Sequence, residues 1–129
     1  MSDEKQRPSV RRVEGPKRPA PEAWFEGRVE MEPVHDGSNL SVRQGRVHFH
    51  DGARTKWHLH QGDQVLYFVS GQGMVEERQG VLLECEVGDI VHVDGGIVHR
   101  HGAREGTSTV HLAITAGVTT WEGDAAFPS

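Results

Sequence analysis

The chain has one cysteine, one tyrosine and no long apolar run. A single thiol excludes an internal disulfide framework and fits a reducing compartment. Cys85 stands among Leu83, Glu84, Glu86 and Val87, where it reads as a small hydrophobe in a strand, with nothing beside it to make a reactive thiolate. No segment is apolar for the length that a bilayer requires, so no membrane association is expected. The N-terminus lacks the apolar stretch of a signal peptide, and a cytoplasmic protein is expected. No stretch shows a helical period in its apolar residues, which points away from helical architectures.

Charge of one sign is also scarce in the right place for a nucleic-acid partner. The net charge of −5 divides unevenly. Residues 1–23 carry six Lys/Arg and four acids; the remainder carries eight basic and fifteen acidic residues. An acidic body argues against nucleic-acid binding as the main task. The basic segment also holds four of the six prolines and almost no large apolar side chain. It cannot bury a core, and it reads as a disordered or loosely attached arm. Order is expected from Trp24 onward, with residues 24–129 forming one domain.

What is present is glycine, sixteen residues of it, and histidine, nine. The pattern predicts a strand over Glu26–Glu32 ended by Pro33, then a turn at His35–Asn39. Further strands are expected over Leu40–His50, Trp57–His60, Gln64–Ser70, Met74–Glu77, Val81–Val87, Ile90–Val93, Val98–His101 and Thr109–Thr115. Gly-containing turns separate most of them. Many short strands at regular spacing predict an all-β sandwich, barrel or jelly roll. Ala116–Ser129, with Trp121 and Phe127, is expected to lie as a tail across it.

The strongest local signal is Gly52–Gln64, GARTKWHLHQGDQ. Strand side chains alternate faces, so His58 and His60 point the same way. A chain reversal at Gln61–Asp63 can bring Gln64 back beside them. His99 and His101 share a face in the same manner, after the glycine turn at Asp94–Gly96. Imidazoles converging with an amide oxygen suit a transition metal: Zn, Cu, Fe or Ni, and Mn where oxygen ligands join. If His58, His60 and Gln64 face inward, so do Leu66 and Phe68, while Val65, Tyr67 and Val69 face out. If His111 faces inward, Val110, Leu112 and Ile114 face out. Such apolar outer faces need a cover, and a homodimer through one sheet face is expected. Val47, Phe49, Leu66 and Phe68, with Val98 near the rim, are expected to line a pocket for a small molecule with an apolar or aromatic portion. His101 is read as a pocket wall or as a donor behind the ligands. His48 and His50 alternate with Val47 and Phe49 and are expected on the surface. His35 and His92 have no supporting context.

In these residues the chain resembles the cupin superfamily. The first cupin motif is Gly, five residues, His-x-His, three or four residues, Glu, six residues, Gly. Here it is Gly52, His58, His60, Gln64 in place of Glu, and Gly71. The second is Gly, five residues, Pro-x-Gly, two residues, His, three residues, Asn. Here it is Gly88, Asp94, Gly96, His99 and Ala103. The resemblance implies a single-domain double-stranded β-helix, or jelly-roll barrel, holding one divalent ion on His58, His60, Gln64 and His99. Trp24–Gly27, Ala53–His60, Gln64, His99–Ala103 and Val110–Ile114 are further similar to small bacterial cupins that include manganese-dependent hydroxynitrile lyases. That likeness implies Mn, with Fe, Ni, Zn, Co or Cu as other candidates. It also implies His111 as catalytic base and Thr55 as a pocket hydroxyl. The chain departs from that group in having Val98 before the metal histidine and Thr115 after the His-Leu-Ala-Ile run.

Gln64 bears most on function. Three imidazoles and an amide leave the ion's charge uncompensated, which favours polarising a substrate oxygen over cycling through high-valent iron. Lyase or isomerase chemistry follows, with His111 moving a proton. Alternatives stay open: a dioxygenase using Fe or Cu, a binding module without turnover, a Gln64 site that no longer holds metal, and His111 as an ordinary hydrogen-bonded core histidine.

Overall fold

The computed structural model describes residues 8, 10, 12–13, 15–33 and 41–129. The turn expected at His35–Asn39 and the first seven residues of the basic arm, with residues 9, 11 and 14, lie outside them. Thirteen strands follow one another: β1 (Arg18–Pro19), β2 (Phe25–Glu26), β3 (Val29–Pro33), β4 (Val42–Phe49), β5 (Arg54–Thr55), β6 (His58–His60), β7 (Gln64–Gly71), β8 (Gly73–Glu77), β9 (Leu82–Cys85), β10 (Ile90–Val93), β11 (His99–Ala103), β12 (Thr109–Ala116) and β13 (Thr119–Trp121). No helix occurs among the described residues.

Two curled antiparallel sheets form a jelly-roll barrel. One runs β1-β3-β4-β12-β7-β10. The other runs β13-β6-β11-β5-β2, with β8 also on β11 and β9 on β8. In the first sheet β12 sits between β4 and β7, setting His111 beside Val47 on one side and Phe68 on the other. On the β7 side the register shifts between Val110 and His111, leaving Val69 unpaired, while ordinary alternation along β12 turns Thr109 and His111 inward. In the second sheet His58 of β6 pairs directly with His99 of β11. The two motifs therefore meet through a single ladder rung.

The expected strand over Glu26–Glu32 is two strands. Gly27, at φ 84°, turns the chain so that β2 joins β5 and β3 joins β4 in different sheets. Pro33 closes β3 from inside the strand. The sheet also begins before Trp24, because Arg18 and Pro19 pair with Met31 and Glu30. Part of the C-terminal tail is a strand in its own right, β13 on β6. Two residues of β5 were not expected. They lie so close to β11 that a Cβ on Gly102 would meet the Ala53 carbonyl at 2.4 Å. Glycine there is what lets the motif strand cross the histidine strand.

The interior holds two apolar clusters: Val29, Val47, Phe49, Ala53 and Ala103, and Leu66, Phe68, Val75, Cys85 and Val93. Cys85 is a core hydrophobe, and burial raises its thiol pKa to about 11. The predicted facing of β7 holds: Leu66 and Phe68 are fully buried while Tyr67 and Val69 are about 40% and 39% exposed. His111 bridges the clusters, with ring centroids 5.1 Å from Phe49 and 5.4 Å from Phe68.

A candidate metal centre in the barrel

His58, His60 and His99 are all buried, and one ring nitrogen of each lies within 4.8 Å of the others. Their other nitrogens are tied down. His58 Nδ1 donates to the Lys56 carbonyl at 2.9 Å, and His99 Nδ1 donates to the Ile97 carbonyl at 2.8 Å. His60 Nδ1 meets the Thr119 hydroxyl at 2.8 Å. A carbonyl only accepts, so Nδ1 of His58 and His99 carries the proton and Nε2 a lone pair. Orienting a histidine through its second nitrogen is what metal ligands require.

The Nε2 atoms of this group could hold a cation. His60 Nε2 is buried with no partner, and His99 Nε2 faces the amide oxygen of Gln64 at 3.0 Å. Lone pairs converging on one point are a cost unless something electrophilic sits between them. Gln64 is held by its own amide, which donates from Nε2 to the Thr115 hydroxyl at 2.9 Å. The position at which the sequence departs from lyase-type cupins thus carries the residue that orients Gln64. Burial is the main reason that the imidazoles stay neutral. It drives His58 well below its ordinary pKa of 6.5, His60 to about 4, and His99 below its ordinary value; a neighbouring imidazole adds to this for His58 and His60. Neutral imidazole is the form that binds metal.

A cavity of about 240 Å³ opens onto this cluster. Val47, Thr55, His101 and His111 line it, together with Phe25, Arg43, Ala113, Thr119 and Trp121, which strand periodicity did not reveal. Phe49, Leu66 and Phe68 are not in the wall. They fill the core behind His101 and His111, because larger side chains on the same strand face pack under the imidazoles. Val98 lies on another surface, beside Glu77, Arg78 and Pro128, since it precedes the inward His99 and so points outward. Thr55 accepts from the backbone N–H of His101 at 3.1 Å. Trp121 lies over the His58 ring at 4.4 Å and stacks on Trp24 at 5.3 Å.

His101 and His111 form a pair, His111 Nε2 to His101 Nδ1 at 2.9 Å. The outer nitrogens, His101 Nε2 and His111 Nδ1, are buried without partners. Burial lowers both pKa values, His101 well below its ordinary range and His111 to about 4. One proton lies between two neutral rings. Whichever ring donates it, the pair presents one free lone pair and one free N–H at its two ends. His48 and His50 are not simply surface residues: they are half-buried and bonded to Glu32 and Glu30. His92 is exposed beside Asp63, at 3.0 Å.

The fold and this inward cluster define a cupin. Residues 45–115 match the Cupin domain family, and the chain belongs to it. It is 37% identical over 95 residues to an (R)-mandelonitrile lyase of Granulicella tundricola, covering 73% of this chain and 72% of that protein. Among solved structures, a cupin-like protein of Thermotoga maritima is 30% identical with a TM-score of 0.77, over 80% of this chain and 82% of its own. A putative acetylacetone dioxygenase of Methylibium petroleiphilum has a TM-score of 0.78 over 100% of this chain and 90% of its own, but at 14% identity it shares the fold alone.

Proposed function

We propose that this cupin is a metal-dependent lyase that adds a small nucleophile to a carbonyl compound, or removes it, as in hydroxynitrile formation and cleavage. The observation that carries the reading is the placement of two distinct devices on one small cavity: a neutral ligand set and a buried imidazole pair. The similarity to an (R)-mandelonitrile lyase supports it. His58, His60, His99 and Gln64 would hold one divalent ion, Mn in first place, and that ion would supply Lewis-acid polarisation of a substrate oxygen.

The protein's own part is proton handling and exclusion of water. The free lone pair of the His101–His111 pair accepts the proton of the incoming acid or of the substrate hydroxyl. The shared proton then shifts across the 2.9 Å contact, and the far ring can release its own. Their lowered pKa values keep the pair neutral at neutral pH, so that a lone pair is available to take a proton. Phe25, Val47, Ala113 and Trp121 give the cavity an apolar wall, and its small volume suits a substrate with few heavy atoms.

Metal analysis of purified protein should give about one ion per chain, and His58→Ala should abolish it. With aldehyde and cyanide, the loaded protein should form hydroxynitrile. His111→Ala should keep the metal and lose turnover by at least about a hundredfold. Failure to bind Mn, Fe, Ni, Co, Cu or Zn would end the reading. Oxygen consumption with a diketone, and no oxygen-independent turnover, would replace it with a dioxygenase.

A further inference from the structure

We propose that the natural substrate carries a carboxylate and that Arg43 anchors it; this rests on the reading that the cavity is the substrate site. The charges on the cavity wall are one-sided. Its lining includes Arg43 and Arg46 but no aspartate or glutamate. Arg46 turns outward to Glu32, at 3.4 Å. Arg43 does not have that outlet. Its Nη1 donates to the Gly117 carbonyl at 2.7 Å and its Nη2 to the Thr119 hydroxyl at 3.4 Å. No carboxylate pairs with it among the described residues, and the side chain is partly buried.

A guanidinium stays charged at any working pH. Half-buried in a largely apolar chamber, it is costly unless an anion meets it. The ligand set makes the imbalance larger, because three imidazoles and an amide bring no negative charge against a divalent ion. Arg43 and the residues that would hold the ion face the same small volume. Arg43 stands one hydroxyl from the triad: the Thr119 oxygen that accepts its N–H also meets His60 Nδ1 at 2.8 Å. A molecule with a carboxylate at one end and a polarisable oxygen at the other would touch both. The planar fork of donors on Arg43 can take both oxygens of a carboxylate at once, which a spherical anion cannot offer. Ala113 and Val47 supply the apolar contact between.

The test is calorimetric binding of benzoate and of benzamide, which share shape and differ in charge. The full chain would be used as purified and after removal of metal by chelator. Metal-free wild type should bind benzoate about tenfold or more tighter than benzamide. Arg43→Gln should erase that preference while benzamide affinity stays within about twofold. Arg43→Lys, which keeps charge but not the fork, should keep only part of it. Equal binding of the two probes by wild type, binding of neither, or a preference that survives in Arg43→Gln would each overturn the proposal. Phenyl phosphate binding more tightly than benzoate would overturn the carboxylate assignment. Because the decisive comparison is made without metal, it stands or falls apart from lyase turnover.

Discussion

An amide at position 64 keeps an oxygen at the centre and removes its charge. The sequence displays this change openly, since Gln64 falls where the cupin motif has Glu. Its consequence is testable. Gln64→Glu should bind a divalent ion at least about tenfold tighter, by chelator competition, because an anionic ligand offsets charge that an amide cannot. It should at the same time lower turnover in the proposed lyase reaction, since the ion would become a weaker Lewis acid. Tighter binding with undiminished turnover would show that the missing charge does not matter to the chemistry. His58, His60 and His99 were legible because strand alternation and glycine turns are local rules. What holds them was not. The Thr119 hydroxyl reaches His60 across 59 positions, Thr115 reaches Gln64 across 51, and Arg43 reaches Gly117 across 74. No periodicity links residues that far apart, and a threonine or arginine in a strand is ordinary until the fold brings its partner.

At the scale of elements, most strands were visible in the alternation of apolar residues, to within one or two positions at their ends. β1, β5 and β13 were not, and each is only two or three residues long. A segment so short has no period to read; its pairing is set by the neighbour that it meets. β13 matters most among them. It extends the second sheet beside β6, with Thr119 opposite His60 and Trp121 opposite His58. One short strand therefore supplies both the oxygen behind one histidine and the ring over another. Thr119→Val keeps the size and the β-branch and removes only the hydroxyl. It should weaken metal binding about 10–100-fold with little change in melting temperature. An unchanged dissociation constant would mean that the strand pairing alone positions His60.

At the scale of the molecule, two features act together on stability. The outer face of the first sheet is apolar by register: Val65 lies opposite Ile114, and Tyr67 opposite both Leu112 and Ile90. Ile90 is 67% exposed. We propose that a second copy covers this face, and Tyr67→Glu should then shift sedimentation from dimer to monomer; a wild-type monomer would dismiss the idea. The interior has the opposite character, with five buried histidines, His58, His60, His99, His101 and His111, held neutral mainly by burial. Each has a folded pKa below its unfolded value, so the unfolded chain binds more protons as pH falls. Their contribution is therefore complete above pH 6.5 and is lost on acidification toward the folded values, about 4 for His60 and His111. For the fully buried His111, the drop from 6.5 to about 4 corresponds to something on the order of 3 kcal/mol. Carboxylates that are stabilised in the fold, such as Glu30 and Glu32, act in the same direction but only below their ordinary 4.5. The two groups separate by pH window. Urea denaturation of metal-free protein should show stability falling steeply between about pH 6.5 and 4.5, well before the carboxylates titrate. Replacing His101 and His111 together by apolar residues of similar size should flatten that limb. A stability independent of pH across this window would mean that the imidazoles are already charged in the folded barrel, which would remove the base from the proposed reaction.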